Sequence, residues 1–455
     1  MKTTKARINT IKYVITESIR IKNELNVALK NKNFKDFYEK EYGSGLGSIG
    51  MTIDSPNSPT KGENKDPRAQ IYLSNKSKFA IIHMLTDIIN EEKLEIHTTV
   101  DEYYSEFKKI LYNHIFLDNG NIDAEGCSKI LDDTLDNIKI KLGSEDFYFP
   151  ILANGLGQHE INLGIVSILP KDIVFAEIKM KFGHLVFDRA SEFCASPLYP
   201  YEHLLKITIH NCSAKRRDTL SKQIANLIVG IIQLFAEYYQ INADLLALSL
   251  NPYPNYEGFY ITKKDNNYNY CFSSKGTISQ SAEFWVQFKE DISYDMGIII
   301  NQIITHAITP KSFPILVDRL IDAIFIFRSA MQDNDEASKI VKLTTALERL
   351  VSTEKGNISS NFRRRVVLLL NICHREENDW NKIAKEMYQY RSSIVHGSWS
   401  MYRQNEPLYA SKYSELTSKA IISACIVFSQ VGLKREDDLN LINSVYDYLS
   451  QNEVI

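Results

Sequence analysis

Paired cysteines are missing from this sequence of 455 residues. Its six cysteines show no C-x-x-C spacing and are scattered along the chain as Cys127, Cys194, Cys212, Cys271, Cys373 and Cys425. Isolated cysteines in so long a chain are typical of reduced thiols, and they match neither a disulfide framework nor a zinc site. The pattern therefore predicts a cytoplasmic protein without a zinc site, and we expect no other cofactor.

Long apolar runs are missing as well. A helix that crosses a membrane needs about 18 to 20 consecutive apolar residues, and the longest candidate, Ile224 to Phe235, is shorter than that. The basic N-terminus is not followed by the apolar stretch of a secretory signal. We therefore expect no membrane partner, and we expect the 224–235 run to form a buried helix.

A strong excess of one charge is the third absence. The chain is 44% apolar and 24% charged, with a formal net charge of −3. This composition is that of a globular protein, and the length predicts two or three domains. Because no positive field covers the whole molecule, any RNA site has to be a local patch.

One sequence pattern matches a nucleotide-binding motif but lacks the strand and helix that the motif requires. Residues Gly45 to Gly50 read G-x-G-x-x-G. A dinucleotide site needs a strand before these glycines and a helix after them. Residues 43–67 are instead rich in Gly, Ser, Pro and Asn, which is typical of a linker. We reject the pattern as a dinucleotide site.

The sequence predicts three parts. Residues 1–70 are expected to form an N-terminal helical segment and a linker, residues 71–304 a mixed α/β regulatory or sensing domain, and residues 305–455 a helical bundle. In the middle part, periodicity predicts helices at 79–89, 100–117, 130–142 and 215–239, strands at 147–152, 161–169, 173–182 and 204–210, and a hairpin at 253–272. Its histidines lie at no metal-ligand spacing, so we expect this part to bind or position something rather than to catalyse.

The last part is helical throughout. Apolar residues at three- and four-residue steps predict helices at 313–331, 336–351, 359–373, 380–396, 408–431 and 439–449. Short connections between such helices predict an up-and-down bundle. The predicted fold class is therefore α+β multidomain, with a mixed α/β N-terminal region followed by an all-α C-terminal bundle.

The most informative stretch is 387–397, which contains Arg391, Ser392, His396 and Gly397. It lies near the end of a predicted amphipathic helix for which Gly397 is a stop signal. Residues five positions apart lie about 140° apart around a helix. Arg391 and His396 thus converge only if the helix distorts near Gly397 or the arginine bends. A surface ion pair and a histidine at a helix end is the simpler alternative.

This pair of residue types suits RNA cleavage, because RNA carries its own nucleophile in the 2′-hydroxyl. A histidine titrates near physiological pH and can move protons. An arginine is always charged, and its planar fork matches phosphate oxygens in the transition state. Neither role requires a metal.

The helices around this motif resemble the HEPN domain, and specifically the Apea-like group of prokaryotic defence proteins. The resemblance rests on Arg391, Ser392 and His396, with Ala346 to Val351 and Ile358 to Leu370 upstream. It covers about the last 150 residues, one domain's length. It implies a HEPN-like helical bundle that is a metal-independent endoribonuclease with Arg391 and His396 as catalytic residues. The expected products end in 2′,3′-cyclic phosphate.

The resemblance also implies an assembly and a setting. One chain offers a single arginine and a single histidine, whereas HEPN nucleases dimerise so that two motifs face one cleft. We therefore expect a homodimer through the C-terminal bundle, with two-fold symmetry, whose shared cleft is lined by apolar residues between Met387 and Val395. The expected setting is antiphage or abortive-infection defence.

Neighbouring polar residues are candidates for supporting roles. Ser392 and Glu348 are expected to support the site, and Glu348 either orients Arg391 or pairs with another arginine. A basic run at the start of the preceding helix either contacts RNA phosphates or forms a solvated face with one member paired to Glu348. This run consists of Arg363, Arg364 and Arg365.

Aromatic residues follow the motif closely. Trp399 and Tyr402 are candidate RNA-binding residues, and Tyr409 lies just beyond them. Such rings either stack on an unpaired base or pack inside the protein. The sequence leaves both interpretations open.

Two rival functions remain. The bundle can be a non-catalytic dimerisation or RNA-binding module in which Arg391 and His396 serve structure. It can also be the toxin of a toxin–antitoxin pair. The expected partners are RNA, with tRNA as one candidate, and a phage-derived trigger or regulatory protein for the N-terminal region.

Overall fold

The computed structural model describes residues 3–33, 35–37, 53–54, 71–117, 122–153, 155–182, 184–195, 201–240, 256–264, 267–274, 282–309, 315–333, 335–352, 358–375, 378–399, 409–432 and 439–452. Gly45 to Gly50 and Tyr402 lie outside these residues. The described chain is mostly helical and contains a small four-stranded sheet, so the predicted mixture of α and β structure is confirmed.

Four helices form the N-terminal core. They are α1 (Lys5–Lys30), α2 (Asn75–Glu91), α3 (Val100–Leu117) and α4 (Ala124–Ile140). A short strand pair, β1 (Ile53–Asp54) and β2 (Ile71–Tyr72), precedes α2. The helices bury one shared set of apolar side chains, including Ile81, Leu85, Phe107, Leu111 and Leu131. Each helix presents an apolar stripe at the 3.6-residue period to this core.

The sheet has the strand order β3-β6-β5-β4. Its strands are β3 (Gly143–Ile151), β4 (Ile161–Leu163), β5 (Val166–Pro170) and β6 (His203–Cys212). The β4–β5 and β5–β6 pairs are antiparallel. The single strand predicted at 161–169 is in fact the β4–β5 hairpin. Gly164 turns the chain there with a φ of +65°, a conformation that L side chains avoid.

The strand predicted at 173–182 is wrong, because this segment is helix α5 (Lys171–Phe182). The consecutive residues Val174 and Phe175 are both buried in one apolar cluster. A strand sends consecutive side chains to opposite faces, whereas a helix can bury two neighbours together. Helix α6 (His184–Cys194) follows and was not predicted.

A long apolar helix and a hairpin lead into the C-terminal part. Helix α7 (Ala214–Tyr238) corresponds to the helix predicted at 215–239. The hairpin of β7 (Tyr256–Lys264) and β8 (Asn267–Ser274) confirms the one predicted at 253–272. Two helices follow, α8 (Ala282–Ile292) and α9 (Asp295–Ile308).

Six further helices confirm those predicted for the C-terminal part. They are α10 (Ile315–Met331), α11 (Glu336–Val351), α12 (Ile358–Cys373), α13 (Trp380–Val395), α14 (Ser411–Val431) and α15 (Leu439–Asn452). Helix α14 is central, since it packs against α9, α10, α11, α12 and α13. Helix α11 packs against α10, α12, α13 and α14, which places its last turns next to α13.

The chain divides into two compact units that differ from the predicted parts. One unit comprises residues 1–145 and 210–219, and the other comprises 146–209 and 220–455. The predicted 71–304 domain is thus shared between the two. Apolar packing explains why α7 groups with the C-terminal helices: Gly230 lies so close to Ile324 that an added Cβ would come within 3.0 Å of its side chain.

Within the described residues, α7 alone is long and apolar enough to cross a membrane. The protein itself buries 78% of its most apolar window. Burial on that scale is what the core helix of a folded domain shows.

Candidate functional site

Helix α13 is anchored at its N-terminal half. Asp379 caps it by accepting a hydrogen bond from the backbone N–H of Lys382 at 3.0 Å. Trp380, Ala384 and Met387 are buried at helical spacing. The C-terminal end of α13 is more open, and Val395 is 52% exposed. The motif therefore lies at the accessible end of a firmly packed helix.

Arg391 is held by Glu348 of α11. Its Nη2 donates to Glu348 Oε2 at 3.4 Å, and the two side chains are 25% and 18% exposed. The Nε of Arg391 is buried without a hydrogen-bond partner. The structure therefore pairs Glu348 with Arg391, and a role of Glu348 in orienting Arg391 stays a prediction.

The carboxyl group of Glu348 is perturbed by its surroundings. Burial raises its pKa above the ordinary value, and this effect outweighs the opposing attraction of Arg391. A carboxylate in this position is poorly solvated, so its contact with the guanidinium is the main interaction that favours its charged form.

His396 occupies the C-cap of α13 and is exposed. Its backbone N–H donates to the carbonyl of Ser392 at 3.0 Å, so the helical spacing continues to this residue. Gly397 then leaves the helix with a φ of +76°. In the described part of the chain, no hydrogen bond or ion pair joins Arg391 to His396. The described structure thus shows no direct polar contact between the two side chains within one chain.

Tyr388 is a neighbour of the site that the sequence analysis missed. The Cζ of Arg391 lies 5.9 Å from the centroid of its ring. A second neighbour is Phe362 of α12, whose ring centroid lies 5.0 Å from that of Tyr388 with an interplanar angle of 45°. Residues three apart on a helix lie side by side, so the spacing of Tyr388 and Arg391 was the available signal.

The basic run separates into three different environments. Arg365 is buried, and it donates to the Val351 carbonyl and to Asn443 Oδ1, each at 2.6 Å. Arg364 is exposed, with Asp447 at 4.0 Å. Arg363 is half-buried, and among the described residues it makes no hydrogen bond or ion pair.

These environments correct two expectations about the run. The burial of Arg365 is inconsistent with the RNA contact predicted for it, because its guanidinium is surrounded by protein groups. The alternative pairing of one of these arginines with Glu348 is also wrong, since that carboxylate contacts Arg391. Arg363 and Arg364 remain candidates for phosphate contact.

Trp399 is used for packing in this structure. Its ring meets Tyr390 edge to face, with centroids 5.6 Å apart and an interplanar angle of 85°. Its Nε1 is buried without a partner. Tyr409 is 69% exposed and remains available for stacking, whereas Tyr402 lies outside the described residues.

Over the residues that the structure describes, no group of three or more His, Cys, Asp or Glu side chains is arranged to hold a metal ion. In comparisons with known proteins, no family model, no curated protein and no solved structure matches this chain. The function has to be argued from the site itself.

Proposed function

We propose that this protein is a metal-independent RNA endonuclease of the HEPN type, acting in antiphage defence through Arg391 and His396. One observation carries the proposal. A mostly buried carboxylate, Glu348, pairs with one terminal nitrogen of Arg391, and an exposed histidine ends the same helix five residues later. An arginine cation and an accessible imidazole supply the charge stabilisation and one of the two proton transfers that RNA transesterification needs.

The proposed reaction uses the substrate's own nucleophile. A base removes the proton of the 2′-hydroxyl, and the 2′-oxygen forms a bond to the adjacent phosphorus. The bond from phosphorus to the 5′-oxygen breaks, and an acid protonates that oxygen. His396 moves protons, and Arg391 stabilises the negative charge that develops on the phosphate oxygens. The products are a 2′,3′-cyclic phosphate and a 5′-hydroxyl.

A second copy of the chain would complete the site. Cleavage needs a proton acceptor and a proton donor on opposite sides of the phosphorus, and each chain supplies one exposed histidine in this motif. Val395 is 52% exposed and Ile394 is half-buried, so both are available to a partner. Met387 is fully buried in its own chain, and the expectation that it lines the shared cleft is therefore wrong.

The decisive test compares the wild type with His396→Ala. Expressed in a bacterial host, the wild type should produce new RNA ends that carry 2′,3′-cyclic phosphate, and purified wild type should cleave in the presence of a chelator. His396→Ala should remain folded and lose both activities. His83→Ala is a matched control, because His83 is also exposed and contacts Asp87 alone among the described ion pairs.

Full cleavage by His396→Ala, or cleavage that strictly requires Mg²⁺ and leaves 3′-hydroxyl ends, would overturn the proposal. Such a result would favour a non-catalytic RNA-binding or dimerisation module. One observation favours this rival function: Arg391 pairs with Glu348 and makes no described contact with His396, as a structural arginine would. A toxin of a toxin–antitoxin pair would cleave in the same way but require a co-expressed inhibitor for survival.

The assembly has its own test. Chains with Arg391→Ala and chains with His396→Ala are expressed together, and the mixed dimer is purified through two different tags. A site that needs all four groups predicts an inactive mixed dimer. A site built from the arginine of one chain and the histidine of the other predicts partial recovery. A fully active monomer in light scattering would contradict the dimer.

A further inference from the structure

Tyr388 belongs to the cluster around Arg391 but has no part in the chemistry above. It lies one turn before Arg391 on α13, and its ring contacts both the guanidinium and the ring of Phe362. These two contacts hold the ring beside Arg391. The phenol hydroxyl makes no hydrogen bond to any described residue, and Tyr388 as a whole is half-buried.

The surroundings keep this phenol protonated. Burial raises the pKa of Tyr388, the nearby carboxylate of Glu348 raises it further, and Arg391 opposes both effects. A protonated phenol is a hydrogen-bond donor. The cluster thus presents two kinds of donor on one side of α13, the O–H of Tyr388 and the N–H groups of Arg391 that Glu348 does not occupy.

We propose that Tyr388 is a substrate-contact residue whose hydroxyl donates a hydrogen bond to the RNA phosphate that Arg391 binds. The inference rests on the proposed RNA site and names a second group that recognises the phosphate there. Two donors from adjacent turns of one helix fit two oxygens of a single phosphate, because residues three apart lie side by side. Hydrogen bonds to an ionised phosphate are the strong ones among protein hydrogen bonds.

The other aromatic residues near the motif fit this role less well. Tyr390 lies two positions after Tyr388, which is about 200° around the helix, and its ring packs against Trp399 and Tyr413. Trp399 has its only polar atom buried. Tyr390 is therefore a matched control for Tyr388, since it offers the same phenol on the same helix but packs against Trp399 and Tyr413.

The experiment measures RNA affinity in the His396→Ala background, so that the RNA stays intact. A fluorescein-labelled single-stranded RNA is titrated by anisotropy with Tyr388→Phe and with Tyr390→Phe. Removing the hydroxyl of Tyr388 should raise Kd about 10-fold, the lower end for a hydrogen bond to a charged group. Tyr390→Phe should leave Kd within about 2-fold, because it removes no bond to a charged group. Thermal unfolding of both variants should be unchanged.

A third variant tests whether the two residues act on the same phosphate. If they do, Tyr388→Phe should change Kd less than about 2-fold once Arg391→Ala is present, because coupled residues are not additive. A 10-fold effect that persists without Arg391 would show that Tyr388 acts independently of the phosphate that Arg391 binds, and it would overturn the inference. Equal affinities for Tyr388→Phe and Tyr390→Phe would overturn it as well.

The same data distinguish the inference from the proposed function. If wild type binds RNA with the expected dependence on Tyr388 but cleaves none, the nuclease proposal fails and the contact stands. If wild type cleaves RNA and Tyr388→Phe behaves like Tyr390→Phe, the nuclease stands and the contact fails. A wild type that does not bind RNA overturns both.

Discussion

Arg365 and Arg391 both approach the last turns of α11, but their guanidinium groups meet different chemistry. Arg365 is 6% exposed, donates to the carbonyl of Val351 and to Asn443, and lies 5.0 Å from the ring of Tyr446. Arg391 makes one longer bond, to the side chain of Glu348. Helix C-termini leave main-chain carbonyls without partners, and a cation there is stabilised by them.

This difference separates a structural arginine from one that can bind a ligand. A second buried residue, Arg319, donates to the carbonyls of Arg349 and Ser352 at 2.6 and 2.8 Å. The end of α11 is thus capped by two arginines whose donors serve the fold. Glu348, in the same helix end, pairs with one terminal nitrogen of Arg391 and leaves it donors for a phosphate.

The largest expected effect is on activity at Arg391. Arg391→Ala should lower kcat/KM for RNA cleavage about 10²- to 10³-fold, the usual loss when one charge-stabilising donor is removed. Its free energy of unfolding should fall by about 1 to 2 kcal/mol, because the poorly solvated carboxylate of Glu348 loses the cation it contacts. Cleavage assays and urea denaturation on one preparation measure both. A large stability loss with normal activity would make Arg391 equivalent to Arg365.

Arg365→Ala should show the reverse pattern. It leaves the carbonyl of Val351 and the amide of Asn443 without a partner and removes buried packing, which should cost about 3 kcal/mol of unfolding free energy. Cleavage per folded molecule should remain within about 2-fold of wild type, because Arg365 does not reach solvent and makes no transition-state contact. A stable Arg365→Ala variant that has lost RNA cleavage would contradict the structural role of Arg365.

Glu348→Gln tests the role of this carboxyl group through the pH dependence of the unfolding free energy. The pKa of Glu348 is raised in the folded protein, so its stabilising contribution is complete below the ordinary value of 4.5 and is lost as pH rises through the folded pKa. The amide does not titrate. The stability of Glu348→Gln relative to wild type should therefore improve from about pH 4 to about pH 7, as urea denaturation at a series of pH values would show. A relative stability that falls over this range would mean that the ion pair outweighs burial.

The smallest effect is expected at Arg364. This arginine is exposed, and its contact with Asp447 is long, at 4.0 Å. Arg364→Ala should change the unfolding free energy by less than about 0.5 kcal/mol. A loss of 2 kcal/mol or more in the same denaturation assay would show that the run acts as one structural unit. The difference between the unfolding free energies of Arg364→Ala and Arg365→Ala measures how strongly the contribution of an arginine to stability depends on its position within the run.

Some of these roles could have been predicted from the sequence and some could not. Phe362, Val366 and Leu369 recur at four- and three-residue steps, which places Arg365 beside the buried stripe of α12. The burial of Arg365 could therefore have been predicted from this apolar spacing. The contact of Tyr388 with Phe362 could not, since it depends on how α12 and α13 meet.

Local pattern alone determined most of the helices, because helical periodicity and caps are properties of neighbouring residues. Helices α3 and α11 have the predicted bounds, and Asp335 caps α11 by accepting from the backbone N–H of Ser338 at 2.7 Å. Tertiary structure decided the rest. It turned the segment at 173–182 into a helix, selected Arg391 rather than the basic run as the partner of Glu348, and formed no hydrogen bond or ion pair between His396 and Arg391 among the described residues. These outcomes depend on which distant side chains share a buried volume, and sequence spacing carries no information about that.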